Sequence, residues 1–292
     1  MTNPSQTATF SCNLRKLLQK ESIMKFQKII SIFLLSVLST ALVFAQDGKN
    51  SDYEAHWAGI DVGTVILMND EFGTDFSGPT WNDYHPYWEN DIAKSSTISF
   101  NMFEYKLPIF RQFVGLTTGF GYRNTNVAFR NNYQLDYDEN FVGADSMNLE
   151  QVGISEIKQN YLAAHYFTVP LLLEFATKVE GKKSFYFNAG VVGGLRFASS
   201  TTLKGTYDNG DKFTNVRRAK YNLNPFLLDA SFRIGYGAFG IFGSYSLSTM
   251  FKQNKTAAVH PLRVGISWNW HFAGGGKKEE SDFDFEDALE EL

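Results

Sequence analysis

The side chains able to do chemistry in this 292-residue chain are few and scattered. Its five histidines are His56, His85, His165, His260 and His271. None stands at a ligand spacing from another histidine, aspartate or glutamate that would build a metal site. Two acidic groups, Asp70, Glu71 and Asp75, then Asp136, Asp138 and Glu139, carry charge suited to calcium but lack the loop pattern of a dedicated site. Cys12 is the only cysteine and precedes a long apolar run, so no disulfide, thiolate ligand or thiol nucleophile is available after that run. No glycine-rich phosphate loop follows a strand and opens a helix. Serines accompany His165 and His260, which raises a membrane-interface lipid hydrolase or acyltransferase as one alternative, but no motif joins them. The reading is therefore of no catalytic, cofactor-binding or metal-binding residues.

A different chemistry remains. Asp61, Glu174 and Asp229 alternate with apolar neighbours, as do Arg123, Arg196, Arg233 and Arg263. Acids and arginines in similar number, set among Gly, Ser, Thr and Asn, are suited to pairing with one another where water is scarce.

The segments that carry these charges share one pattern. Residues 260–272 place Leu262, Val264, Ile266, Trp268, Trp270 and Phe272 on one parity and Arg263, Gly265, Ser267, Asn269 and His271 on the other, the period of a two-faced strand. Seven other segments alternate likewise: 56–68, 97–110, 113–129, 161–177, 184–199, 226–236 and 239–249. In 97–110 the parity switches at Met102–Phe103, so a bulge is expected there, turning Glu104 and Lys106 to the polar face. Pro170 donates no ladder hydrogen bond, so a bulge or bend is expected beside it, and Pro108 raises the same issue. The connections alternate long and short. The longest are residues 69–94, 131–160 and an excursion whose tip, Asp208-Asn209-Gly210-Asp211, is a hairpin-turn sequence, so the segments 184–199 and 226–236 are expected to extend beyond the core into that arm.

Aromatic residues are 16% of the chain and it has 24 glycines, a mixture that favours sheet over helix, and helical periodicity is absent from the exported region. The net charge of −4 gives no nucleic-acid footprint. Residues 24–45, from Met24 through a basic start and an apolar run to Ala45, read as a cleaved signal peptide. Residues 1–23 are then an upstream extension, either a mis-assigned start or a long lead. Residues 46–54 are a short polar lead, 55–272 the folded body and 273–292 a disordered acidic tail on the periplasmic side.

The polar faces have few of the long Lys and Glu side chains expected of a surface in water. The apolar faces are aromatic-rich and nearly unbroken. Facing water they would aggregate; facing lipid they need no further partner. The fold class expected is all-β, an eight-stranded antiparallel up-and-down transmembrane β-barrel. Asp61, Glu174, Arg196, Asp229, Arg233 and Arg263 would form a structural charge network in its lumen. Trp81, Tyr84, Tyr87 and Trp88 on the first long connection are candidate partner-binding residues or, equally, aromatics that the loop packs against the barrel mouth. Phe283, Phe285 and Leu289 are candidate apolar anchors in the tail.

Tyr166-Phe167-Thr168-Val169-Pro170-Leu171-Leu172-Leu173-Glu174-Phe175 resembles the aromatic-x-x-(Ile/Val)-Pro-Leu-Leu-Leu strand of the PorT-like small outer-membrane β-barrels of Bacteroidetes. Asn188-Ala189-Gly190 and Ser246-Leu247-Ser248 are similar to that group as well. The resemblance spans roughly residues 57–272 and implies a Gram-negative outer membrane and an eight-stranded barrel. The role expected is non-enzymatic, structural or accessory, in a secretion or assembly complex, with a narrow porin-like channel as another alternative. The partners expected are outer-membrane lipid and a protein reached through the acidic tail, with no cofactor and no nucleic acid.

Overall fold

The computed structural model describes residues 55–76, 86–110, 113–130, 132–138, 141–177 and 185–270. Its wall is built from β1 (Gly59–Met68), β2 (Ser96–Phe110), β3 (Val114–Ala128), β6 (Ile154–Ala176), β7 (Phe185–Tyr207), β9 (Phe226–Tyr236), β10 (Phe239–Ser246) and β11 (His260–Asn269). Each pairs antiparallel with its neighbours in chain order, and β1 also pairs with β11 from Gly59↔Asn269 to Met68↔His260. The ring of eight strands is therefore closed, and no wall strand has an edge inside it.

The parities sort as the alternation requires. Ile266, Trp268, Phe239 and Phe103 are half or more exposed on the outside, while Asp61, Arg123, Glu174, Asp229, Arg233 and Arg263 are buried inside. The β2–β3 register shifts between Asn101 and Phe103, the bulge expected from the parity switch, and it turns Lys106 inward. A second shift lies between Pro108 and Phe110.

Pro170 behaves differently from expectation. It pairs with Val192 of β7 without a register shift, and the irregularity on that side falls earlier, between His165 and Tyr166. On the β3 side the pairs stop at Thr118↔Leu171 and resume at Gly121↔Thr168 with the register intact. The Thr118 hydroxyl donates to the Pro170 carbonyl at 2.9 Å, so a side-chain bond bridges the interrupted ladder.

Two connections hold more structure than their sequence suggests; in the third, the strand from Phe185 extends as expected, while that of Phe226–Tyr236 does not and a separate strand takes its place. Residues 132–152 contain a hairpin, β4 (Tyr133–Tyr137) and β5 (Val142–Ser146), and a single-turn helix, α1 (Leu149–Val152), capped by Asn148 and ended by Gly153 in the left-handed region. A one-turn 3-10 helix covers Pro86–Trp88. Strand β6 starts well before residue 161, and β7 runs on past 199 to Tyr207, where the turn at Asp208–Gly210 leads into β8 (Lys212–Arg218). Strands β6, β7 and β8 thus form an arm beyond the ring.

The first wall strand also begins later than its alternation implies. Residues 55–58 leave the wall and enter the bore at the end of the barrel bearing the short turns. Gly59 makes the corner with φ 153°, and a Cβ there would lie 2.1 Å from the Trp268 carbonyl oxygen.

At the opposite end, the inward parity turns from charged to apolar: Val65, Leu67, Val127, Leu162 and Tyr166 on the wall meet Phe76, Tyr87, Trp88, Leu223, Met250 and Phe251 from the loops in one buried cluster. Trp88 is fully buried, its ring tilted against Phe251 with centres 4.6 Å apart, and its indole N–H donates to the Thr256 hydroxyl at 2.8 Å. Replacing Trp88 with Ala is expected to lower stability by about 3–5 kcal/mol through the void it leaves. Denaturant unfolding in lipid vesicles measures this, and a loss below about 1 kcal/mol would show that the mouth cluster does not hold the loops.

Candidate functional site

The bore is filled from bottom to top, and the order of filling follows the wall. Near the short-turn end, two carboxylates and one guanidinium grip the inserted backbone of residues 56–58. Glu174 on β6 accepts the His56 amide N–H at 3.1 Å and the Thr117 hydroxyl at 2.9 Å, contacts the His56 ring Nδ1 at 3.0 Å, and pairs with Lys106 on β2 at 2.8 Å. Glu104 on β2 accepts the amide N–H groups of Trp57 and Ala58 at 2.7 and 2.6 Å. Arg233 on β9 donates to the carbonyls of His56 and Trp57 at 3.2 and 3.1 Å and to both oxygens of Asp61 on β1 at 2.7 Å. Asn101 donates to Asp61 at 2.9 Å, and Asn188 donates to the His56 carbonyl at 3.0 Å.

The side chains of the insert are packed as closely as its backbone. Trp57 lies against Leu172 and Val192 inside the barrel. Its ring occupies the room that glycine leaves on β3: a Cβ on Gly121 would sit 2.9 Å from it and one on Gly119 3.2 Å. The His56 ring stacks on Tyr186 with centres 4.4 Å apart.

One layer higher, Asp229 on β9 accepts from Arg123 of β3 at 2.5 Å, Arg263 of β11 at 3.2 Å, Ser246 at 2.7 Å and Ser244 at 3.0 Å. Arg263 also donates to the hydroxyls of Ser246 and Thr125. Four carboxylates (Asp61, Glu104, Glu174, Asp229) and four cations (Lys106, Arg123, Arg233, Arg263) therefore share the two layers. Between the upper layer and the mouth cluster, a void lined by Thr125, Tyr166, Leu227, Met250 and Arg263 has a volume of about 10 Å³, at most the room of one water.

Sequence-predicted residues divide accordingly. Asp61, Glu174, Asp229, Arg233 and Arg263 lie in the two layers. Arg196 does not: it is half-buried nearer the mouth, donating to the Ser199 hydroxyl at 2.9 Å and the Leu223 carbonyl at 3.2 Å, with no carboxylate in ion-pair range among the described residues. Tyr87 and Trp88 are core of the mouth cluster, which agrees with the packing alternative for this loop and corrects their reading as docking residues. Trp81, Tyr84, Phe283, Phe285 and Leu289 lie outside the described residues. His56, Glu104 and Lys106 belong to the lower layer although the charge network read from sequence omits them. Their signal is the parity switch for the last two; nothing in the periodicity marks an inserted backbone.

The histidines raised for hydrolysis sit elsewhere. His165 meets the Tyr122 hydroxyl at 2.7 Å and Asn124 at 3.0 Å, among the outward aromatics Tyr122 and Phe197. The His260 Nδ1 contacts the Ser246 carbonyl at 2.8 Å, and its ring stacks on Tyr245. Neither faces a serine hydroxyl in these contacts. Among the described residues, no group of three or more His, Cys, Asp or Glu is placed to hold a metal ion.

A closed ring of eight antiparallel strands, apolar outside and filled with paired charges inside, defines an integral outer-membrane β-barrel. The sequence matches the outer membrane protein beta-barrel domain family over residues 49–252, well over half of the chain, and the chain belongs to that family. Comparison with curated proteins finds no match. Among solved structures, it is similar to Ail, the attachment invasion locus protein of Yersinia pestis, in a crystal structure with the heparin analogue sucrose octasulfate. The identity is 10% over 72% of this chain and 94% of that one, with a TM-score of 0.25, a likeness that carries no argument.

Removing one partner of a buried pair leaves its mate charged in a dry bore, which costs about 3–5 kcal/mol. Arg233→Met and Asp229→Leu are both expected to destabilise by that order. A double-mutant cycle on Asp61 and Arg233 checks the coupling. An interaction below about 0.5 kcal/mol would mean that the pair does not hold the lower layer.

Proposed function

We propose that this barrel is a sealed, non-enzymatic scaffold of the outer membrane, an accessory or structural protein that presents surfaces on either side of the bilayer rather than passing solutes. The observation that carries this reading is the filled bore. A passive pore of this width needs a continuous water path. Here the inserted residues 55–58, two layers of ion pairs and an apolar mouth cluster occupy successive levels. The porin-like alternative therefore requires at least three independent rearrangements, and among the described residues neither His165 nor His260 contacts a serine hydroxyl that could serve lipid hydrolysis.

The surroundings of the barrel follow from the same reading. Residues 24–45 direct export and are cleaved after Ala45, leaving Gln46 first. The short turns face the periplasm and the long connections and arm face outward. The acidic segment after the last strand then starts in the periplasm, where Phe283, Phe285 and Leu289 anchor a protein partner of a secretion or assembly complex. The resemblance to PorT-like barrels of Bacteroidetes supports that setting.

Planar-bilayer recordings of the full-length protein are expected to show no stable conductance steps, and large stable steps would overturn the sealed-scaffold reading. N-terminal sequencing of protein from native membranes is expected to begin at Gln46; a start upstream of Met24 would remove the cleaved-signal reading. Protein lacking residues 273–292 is expected to lose periplasmic partners that co-purify with the intact chain, and an unchanged set would remove the role given to the tail.

A further inference from the structure

The arm is the part of the sheet that closure does not reach. Strand β6 leaves β3 at Tyr161↔Ala128, and β7 leaves β9 at Leu195↔Phe226. Above that level β7 pairs with β6 on one side and with β8 on the other, from Ser200↔Arg218 to Thr206↔Lys212. The sheet order ends at β8, whose outer edge has no strand partner among the described residues.

The two edges of the arm differ. The β6 edge is interrupted by register shifts between Ile154 and Glu156 and between Ile157 and Gln159, the irregularity that keeps an edge from accepting another strand. The β8 register is continuous over seven pairs. All of β8 is exposed except Phe213, which packs on Tyr207 with ring centres 4.6 Å apart. It is a regular, solvated edge.

Its charge is one-sided. From Lys212 to Lys220 there are four cations, Lys212, Arg217, Arg218 and Lys220, and no acid, in a chain whose net charge is −4. Lys204 on β7 adds a fifth, paired across from Thr214. Arg217 lies over the Tyr137 ring at 5.3 Å; none of the other four makes a salt bridge among the described residues. Pairing of two copies about Asn215 would set Lys212 against Arg218, like charges directly opposite, which is unfavourable. The edge is thus blunted against itself but not against an acidic strand. The acidic segment of the same chain follows β11 at the opposite end of the ring, so it is not the natural occupant.

We propose that the outer edge of β8, Lys212–Arg218, is a strand-addition site that takes an extended acidic segment of a partner protein on the long-loop side of the membrane. Backbone pairing would supply affinity, and Lys212, Arg218 and Lys220 would select acidic residues. The proposal rests on the scaffold reading above and gives its outward face a partner chemistry.

The test uses the full-length protein in detergent and a fluorescein-labelled synthetic nine-residue peptide alternating Glu with Val and Thr. Anisotropy is expected to show saturable binding that weakens with added salt. The triple variant Lys212→Glu, Arg218→Glu, Lys220→Glu, shown to keep its β-sheet circular dichroism, is expected to bind at least tenfold more weakly. The same peptide N-methylated at alternate amides, which keeps its charge and loses strand-pairing groups, is expected to lose at least as much. Amide exchange in β8 is expected to slow only with the unmodified peptide. No binding at low salt would leave an edge that is merely blunted, and would overturn the proposal. Equal binding of the N-methylated peptide, or of dextran sulfate with no change in β8 exchange, would make the strip a general polyanion surface and overturn it too. Bilayer conductance of the same preparation decides the sealed-scaffold reading separately.

Discussion

A sheet immersed in hydrocarbon cannot keep an edge, because an unpaired amide or carbonyl there has no water to turn to. The pairing of β1 with β11 meets that demand, and most of the architecture follows from it. Closure at eight strands fixes a bore only wide enough for side chains. What lies inside must then be matched almost atom by atom, since neither bulk water nor lipid can enter to compensate it.

The charges inside show how that matching is done. Asp229 carries two arginines and two serine hydroxyls, so no single neighbour neutralises it alone. Glu174, Glu104 and Arg233 do more than pair with side chains. They satisfy the amides and carbonyls of residues 56–58, backbone groups that leave the sheet and would otherwise be buried without partners. The insert and the charges therefore require each other: without the insert, two carboxylates would lose their donors, and without the carboxylates the insert could not enter. Trp57 fits because β3 presents Gly119 and Gly121 to its ring.

The two ends of the barrel obey different rules. At the short-turn end the only excursion among the described residues is the inward one of 55–58. At the other end the inward parity becomes apolar and the loops fold down on it, so that Trp88, Phe251 and Tyr221 complete a core that the wall alone would leave open. Beyond that core the chain is in water, where edges are tolerated. Only there do β6, β7 and β8 continue as an open sheet.

The eight wall strands, their two faces and the bulge at Met102 were legible in the sequence, because alternation with period two survives in every segment and hydrocarbon outside a barrel leaves a nearly unbroken apolar parity. Inward charge was legible too, since Asp61, Glu174, Asp229, Arg233 and Arg263 interrupt rows of small residues. Which charge meets which was not, because Arg233 and Asp61 are 172 residues apart and only ring closure and strand stagger bring them together. Arg196 has the same parity as the others, yet its height on β7 takes it to the Leu223 carbonyl instead of a carboxylate. Tyr87 and Trp88 read equally as a docking patch or as loop aromatics packed on the mouth, because their connection shows no periodicity; tertiary packing decides for the mouth. Alternation likewise carried the first strand on to residue 56, while the tertiary structure turned residues 55–58 into the bore, since only there do Glu104, Glu174 and Arg233 stand ready to receive a backbone. Local periodicity thus determined the wall and its solvents. Closure decided the contents, because partners across a barrel are set by geometry that no short stretch of sequence contains.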